Sequence, residues 1–502
     1  MWGRSARPSR GITPVTGPLV PVAPPPRPIL EDLPGFCDPL EALRRVRHRR
    51  HPVLLLSGLM GHHAARFSIL AWDPVLVVAI RGGEALLVGE SDGRRSVQTR
   101  PARDPFALLR ALAPAGAIRR TAPGVPFIGG AIGYLGYGLR RSIERLPPAP
   151  PDPLGQPDAW FGLYDRAVVF DHLERRVILV ATGLGAENER QRLARAAAGL
   201  EDLRECLARS PAARAAPPAS GAVARRRALL TTDRRTYLGR IARALDYIAA
   251  GDVYQVNLSH RIECAFEGDP LSLFLDLAAR NPAPFAAYID AGDFQVVSAS
   301  PERLVSVVGD RARSSPIKGT RPRGDTPEED ERLASDLISS PKDRAENVMI
   351  ADLVRNDLGR VCEAGSVRAE TLCALESFAT VHHLVTTVSG RLRPDADRID
   401  VVRALFPGGS MTGAPKVRAM EIIDELEEEE RGVYAGGIGY LSLDGGMDFN
   451  IVIRTLVCAK GIAHLRVGGG IVADSDPERE HGETLDKARA LLDVLNADLA
   501  NL

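Results

Sequence analysis

The stretch Ala167-Val168-Val169-Phe170-Asp171-His172-Leu173-Glu174-Arg175-Arg176-Val177-Ile178-Leu179-Val180 decides the fold class. Two short apolar runs rich in β-branched residues flank the polar segment Asp171–Arg176, a pattern that predicts a β-hairpin. A hairpin makes its strands antiparallel, whereas a parallel pair needs a long crossover. The same texture recurs on either side. Strand-like pieces fall at Val253–Arg261, Phe294–Ala299, Leu304–Val308, Ile438–Leu443 and Ile451–Val457. Helical pieces fall at Asn188–Ala208, Thr236–Ala250, Thr326–Ile338, Ser340–Leu358, Ala414–Leu426 and Asp476–Leu495. The two kinds do not alternate strictly, so the chain reads as α+β, with antiparallel sheets and helices on their outer faces.

The chain has 502 residues, enough for several domain-sized units or one large multilayer body. Its 45% hydrophobic and 25% charged residues are the mix of a globular protein. Lys plus Arg (64) equals Asp plus Glu (64), which argues against a nucleic-acid binder. The six cysteines are scattered and form no CxxC pair, so a reducing, cytoplasmic setting is expected. No run approaches the roughly 18 apolar residues of a membrane span. Residues 1–30 are Arg- and Pro-rich without acids until Glu31; their prolines spoil an amphipathic targeting helix and favour a disordered tail. Residues 31–206 form an amino-terminal region, 207–229 an Ala/Pro linker around SPAARAAPPAS, and 230–502 the region densest in motifs.

Helix starts place several acidic residues. Thr326-Pro327-Glu328-Glu329 reads as a capping box with proline at the first helical position, and Ser340-Pro341-Lys342-Asp343 repeats the logic. Along the second helix, Met349, Ile350 and Leu353 follow Glu346 at helical spacing, so Glu346 heads an apolar stripe. It either pairs with Lys342 or Arg344 or ligates a metal, and the helix alone leaves both open. Glu483, Asp486 and Lys487 share one turn of the last helix, capped by Asp476. Glu483 and Lys487 make an ordinary ion pair, or Glu483 joins Glu346 around a hard cation such as Mg²⁺, which prefers oxygen ligands.

Two glycine-rich turns stand out: Val467-Gly468-Gly469-Gly470-Ile471 and Phe406–Lys416 (FPGGSMTGAPK). Neither satisfies a Walker A or GxGxxG pattern. Each reads as a tight turn or as a cradle of backbone N–H groups for a small anion. Glu302, in Ser300-Pro301-Glu302-Arg303 at a strand end, is an acid–base candidate or a partner of Arg303. Lys318, in Pro316-Ile317-Lys318-Gly319-Thr320, is a surface lysine in a turn or a nucleophilic amine. His382-His383 near Glu376 lacks zinc-site spacing.

The order of these motifs carries a resemblance. GDVYQVNLSHR, SASPERL, PIKGTRPRG, DRAENVMIADLVRNDLGRV, VHHLVTTVSG, FPGGSMTGAPKVRAMEIIDELE, GGIGYLSLDGGMDFNIVIRTL and GGGIVADSDPEREHGETLDKARALL occur in that sequence. They resemble the chorismate-utilising enzymes, which include anthranilate, aminodeoxychorismate, isochorismate and salicylate synthases. The likeness is dense over 230–502 and looser over about 35–200, at LLLSG, PFIGGAIGYLGY and PDAWFGLYD. It implies a four-layer α/β/β/α fold with two packed antiparallel sheets and a chorismate cleft. It implies Mg²⁺ held by Glu346 and Glu483, and substrate contacts from Arg454, Tyr440, Lys487, His383, Thr412, Ala414 and the backbone of Gly468 and Gly470. It implies Glu302 as the general acid for the departing C4 hydroxyl.

Two positions separate the members. Isochorismate and salicylate synthases carry a lysine base where this chain has Gln255, which disfavours water as nucleophile. Anthranilate synthases usually have alanine where this chain has Lys318. The resemblance therefore implies C4 amination through Lys318, giving 4-amino-4-deoxychorismate, an amine transfer on the route to 4-aminobenzoate and folate. Anthranilate formation and a non-catalytic scaffold are the alternatives. No glutaminase elbow is visible, so the ammonia is expected from a separate glutamine amidotransferase subunit. Where anthranilate synthases carry an LLES-like tryptophan motif, Leu56 stands in place of the Glu, next to Ser57, which disfavours tryptophan regulation.

Overall fold

Alternation in the strands builds two packed sheets. Val77 and Ala79 point into one apolar cluster, Val78 and Ile80 into another. Likewise Ile69 and Ala71 face the first cluster while Leu70 and Trp72 face a third. Side chains of successive strand residues point to opposite faces, so each strand feeds two layers. The cluster containing Ile69, Val77, Tyr134, Trp160, Ile289 and Val296 lies between the sheets. Outside one sheet, Leu54, Leu70 and Phe170 pack with the helices Pro39–Arg45, Glu189–Ala208, Pro270–Arg280 and Pro477–Val494. Outside the other, Leu76, Val78 and Ile80 pack with Pro105–Leu112 and Arg398–Leu405. The result is the expected α/β/β/α arrangement, seen here in a computed structural model that describes residues 27–59, 65–91, 94–116, 124–186, 188–209, 225–377 and 381–500.

Among the described residues the sheets have 13 and 12 strands, and every pairing is antiparallel except Arg226–Leu230 with Ala497–Leu499. The amino-terminal and motif-dense regions share both sheets: Val53–Leu56 pairs with Phe285–Asp290, and Gly130–Leu135 pairs with Gly437–Ser442. That second pairing is close. A methyl group at Gly130 would fall 2.1 Å from the Leu441 carbonyl oxygen, and one at Gly436 2.0 Å from that of Leu135.

The hairpin that opened the argument forms as Arg166–Asp171 with Arg176–Ala181. Asn188, Ser340 and Asp476 cap their helices, each accepting a backbone N–H three residues on. The Thr326 box is only half made. Thr326 accepts from the Glu329 N–H, but the Glu329 carboxylate reaches the Asp325 N–H instead of that of Thr326. Residues 1–26 of the expected tail lie outside the described residues, and strand Ile29–Leu33 begins within its end. Residues 210–224 of the expected linker also lie outside them, whereas Arg226–Leu230 is a strand. The strand expected at Ile451–Val457 starts only at Thr455, because Arg454 turns the chain at φ +50°. No helix among the described residues is long and apolar enough to cross a membrane, and all six cysteines are free.

Candidate active site

A cleft of about 910 Å³ opens where the two sheets part. Strands Gln255–Ala265 and Ile462–Ile471 of one sheet form one wall. Ile317–Pro322 and Val381–Arg391 of the other form the opposite wall. Helices Pro341–Gly359 and Pro477–Val494 supply acidic side chains. Lys318, Glu302, Arg454, Lys487, His383, Gly468, Gly470, Glu346 and Glu483 all line it. The segments carrying them are scattered over nearly 190 positions of sequence.

Lys318 lies in a strand, not a turn. Its pairing with Val381–Arg391 slips register between Ile317 and Thr320, where Gly319 has φ +85°. Such a bulge re-aims a side chain. The Lys318 ammonium lies 3.9 Å from Glu346, so neither Lys342 nor Arg344 is that carboxylate's ion-pair partner.

Glu302 is buried, 4% exposed, at the end of strand Phe294–Ser300. Its Oε1 accepts the Ser410 hydroxyl (3.0 Å) and the Ile317 N–H (3.3 Å). Burial outweighs those bonds and the charge of Lys318, and pushes its pKa up to about 7. A carboxyl still protonated near neutrality is what a general acid needs.

His383 accepts or donates through Nδ1 to Thr320 Oγ1 at 2.8 Å. Burial, and then the nearby Arg454 charge, lower its pKa to about 4, so it is neutral near pH 7. Arg454 carries no ion pair among the described residues, and burial lowers its pKa. An unpaired guanidinium facing a cleft is a receptor for a planar carboxylate. Lys487 bonds Glu483 (2.7 Å) and the Gly468 carbonyl (3.0 Å).

Four expected residues are placed elsewhere. Tyr440 lines a separate cavity of about 410 Å³, together with Leu56, Ser57, Phe285 and Asp448. Tyr434 takes the place in the cleft. Thr412 is fully buried and donates its hydroxyl to the Gly408 carbonyl. Ala414 pairs as a strand with Gln255, so the second turn binds the neighbouring strand and not an anion. A methyl at Gly413 would fall 2.0 Å from the Gln255 carbonyl oxygen, which is why glycine stands there. Gln255 is buried and does not line the cleft directly. Its amide has no hydrogen-bond partner among the described residues and lies beside Lys318: a methyl at Gly470 would fall 2.8 Å from its Nε2 and 3.1 Å from Lys318 Nζ.

The structure adds residues the sequence reading missed. Asp343 and Glu480 line the cleft beside Glu346 and Glu483. Each stands three residues before its partner, a spacing that sets both on one helix face. Burial, and next the charge of Glu483, raise the Glu480 pKa. Burial opposes charge at Glu483 too, but Lys487 holds it below the usual carboxylate range. No group of three or more ligating side chains is gathered tightly enough for a metal among the described residues. The donor chemistry nevertheless suits Mg²⁺: carboxylate oxygens on two facing helices, with crowded charge that a cation relieves.

Behind the cleft, Glu427 binds Arg431 (2.5 Å), Arg466 (3.1 Å) and the Ser259 N–H and hydroxyl (both 2.8 Å). Arg466 lines the cleft and Arg431 carries the turn to Tyr434. Glu427→Ala would leave two buried guanidinium groups uncompensated. It is expected to cost about 3–5 kcal/mol of stability, read from urea unfolding midpoints. A loss under about 1 kcal/mol would mean that the two arginines find other partners.

The chain matches the family described as chorismate binding enzyme over residues 59–493. It is 41% identical to anthranilate synthase component 1 of Thermus thermophilus over 92% of this chain and 96% of that one. It is 39% identical to aminodeoxychorismate synthase component 1 of Escherichia coli over 90% and 94%. Among solved structures, anthranilate synthase component I from Streptococcus pneumoniae superposes with a TM-score of 0.74 at 34% identity, over 86% of this chain and 94% of that one.

Proposed function

The chain belongs to the chorismate-binding enzymes, and on that premise we propose that it aminates chorismate at C4, giving 4-amino-4-deoxychorismate. The observation that carries the reading is Lys318 in one cleft with Glu302, whose pKa burial pushes up to about 7. The Lys318 amine, once it has given up its ammonium proton, adds at C2 and both ring double bonds shift, from C1=C2 and C5=C6 to C1=C6 and C4=C5. The C4–O bond breaks, and Glu302 gives its proton to the departing hydroxyl, which leaves as water. Ammonia then adds at C4, both double bonds shift back, Lys318 is expelled from C2, and the new C4 ammonium returns a proton to Glu302. The tethered amine acts at a high effective concentration and splits one hard displacement into two.

Arg454 and Lys487, with Tyr434 in the role first given to Tyr440, would hold the substrate carboxylates. Glu346 and Glu483, with Asp343 and Glu480 beside them, would hold Mg²⁺, after Lys318 and Lys487 move off their carboxylates. The ion would supply positive charge for the ring carboxylate. The ammonia would come from a glutamine amidotransferase subunit, in keeping with the component 1 names of the relatives.

Relatives of both names match equally well, so amination at C2 to give anthranilate is the second reading. Lys318 is the residue that separates the two. Water as nucleophile is set aside because Gln255, an amide that takes no proton, stands beside Lys318 where the water-using relatives carry a lysine base. The check is incubation with chorismate and Mg²⁺ but no ammonium. No isochorismate should accumulate; its steady formation would show that water is accepted and overturn the aminating assignment.

A further inference from the structure

Glu302 has a second face. Besides the cleft it borders a small cavity of about 10 Å³, lined by Ser314, Asp357, Gly408, Gly409, Ser410 and Ile451 among others. That volume is about the least that holds one water molecule, and a water there needs two or more polar partners. The lining offers them: the Glu302 carboxyl, the Ser410 and Ser314 hydroxyls and the Asp357 carboxylate. Asp357, on helix Pro341–Gly359, is 5% exposed and accepts the Lys416 ammonium at 2.6 Å. Lys416 opens the next helix, Lys416–Glu427, and also donates to the Leu405 carbonyl. The pair therefore ties the far end of the helix that carries Asp343 and Glu346 to the start of the next helix.

We propose that one internal water bridges Glu302 to the Asp357–Lys416 pair, making Asp357 a positioning residue that sets how tightly the acid holds its proton. The inference rests on the reading of Glu302 as the general acid. Beyond the Ile317 N–H and the Lys318 charge, the polar groups close to Glu302 are those of this cavity. The charges facing Glu302 are then few. Lys318, Glu346, His383 and Arg454 line the cleft with it, and Arg303, itself paired with Asp448, and Asp357 line the small cavity with it. Burial raises the Asp357 pKa while Lys416 opposes it, so the ionised pair is a poised local charge. Removing the carboxylate leaves Lys416 to favour ionised Glu302. Removing the ammonium leaves Asp357 to favour the protonated form.

The test follows the Glu302 carboxyl by infrared difference spectroscopy against E302Q, as a function of pH, in the full chain. Asp357→Asn should lower its pKa by about half a unit or more, and Lys416→Met should raise it. Shifts of the same sign, or none in folded variants, overturn the proposal. If neither variant folds, a crystal structure of the unaltered chain decides. Water within hydrogen-bond reach of both Glu302 and Asp357 supports the bridge, and an empty cavity overturns it. The alkaline limb of kcat/KM should move with the carboxyl. A carboxyl that shifts while the limb stays put upholds the bridge and removes Glu302 from the role of acid.

Discussion

Lys318→Ala should reduce C4 amination by about 10³-fold or more in kcat, because the tethered amine is what turns a direct displacement into two easier steps. At about 1.4 kcal/mol per tenfold, that is roughly 4 kcal/mol of barrier. Chorismate binding should change far less, since Arg454, Lys487 and the acidic cluster remain. The loss should therefore fall on kcat and leave KM nearly as it was. The variant should also release some anthranilate, because ammonia is then free to attack the ring directly at C2. Measuring both products by chromatography checks the prediction. Undiminished aminodeoxychorismate formation would mean that Lys318 acts only as a charge beside Glu346.

Glu302→Gln should cost about 10²–10⁴-fold, the range for a lost general acid. The amide keeps the shape and still meets the Ile317 N–H through its oxygen, so the fold should survive. The sign of the pH dependence follows from the raised pKa. Below about pH 7 the carboxyl of the unaltered chain carries the proton it must donate; above it, the acid form is depleted and kcat/KM should fall. In Glu302→Gln that alkaline limb should disappear from the residual rate. A limb that persists unchanged would assign the titration to another group.

The parts of this account legible in the sequence are those written locally. Hairpin 166–181 and the capped starts at Asn188, Ser340 and Asp476 each need only a few neighbouring residues. Glu302, Lys318, Glu346, Glu483 and Arg454 were legible through motif resemblance, and the structure brings them to one cleft. What failed depends on direction. Tyr440 sits in strand Gly437–Ser442, and register against Gly130–Leu135 turns it toward the other cavity. Tyr434, before the strand begins, lines the cleft. Thr412 and Ala414 belong to a glycine-rich turn, but a turn's composition does not tell whether its N–H groups meet an anion or a neighbouring strand. Here the neighbouring strand docks on the turn, its Tyr254 and Asn257 N–H groups donating to the Ala414 and Thr412 carbonyls. Asp343 and Glu480 were within reach of sequence reasoning, since each lies one helical turn before a candidate ligand.

Product identity tests the central claim most directly. The purified chain is incubated with chorismate, Mg²⁺ and ammonium, and half of each sample is coupled to an aminodeoxychorismate lyase. The account predicts 4-aminobenzoate in the coupled half only, with little anthranilate in either. Anthranilate in both halves, with no 4-aminobenzoate, would contradict it and assign Lys318 to a site that aminates C2.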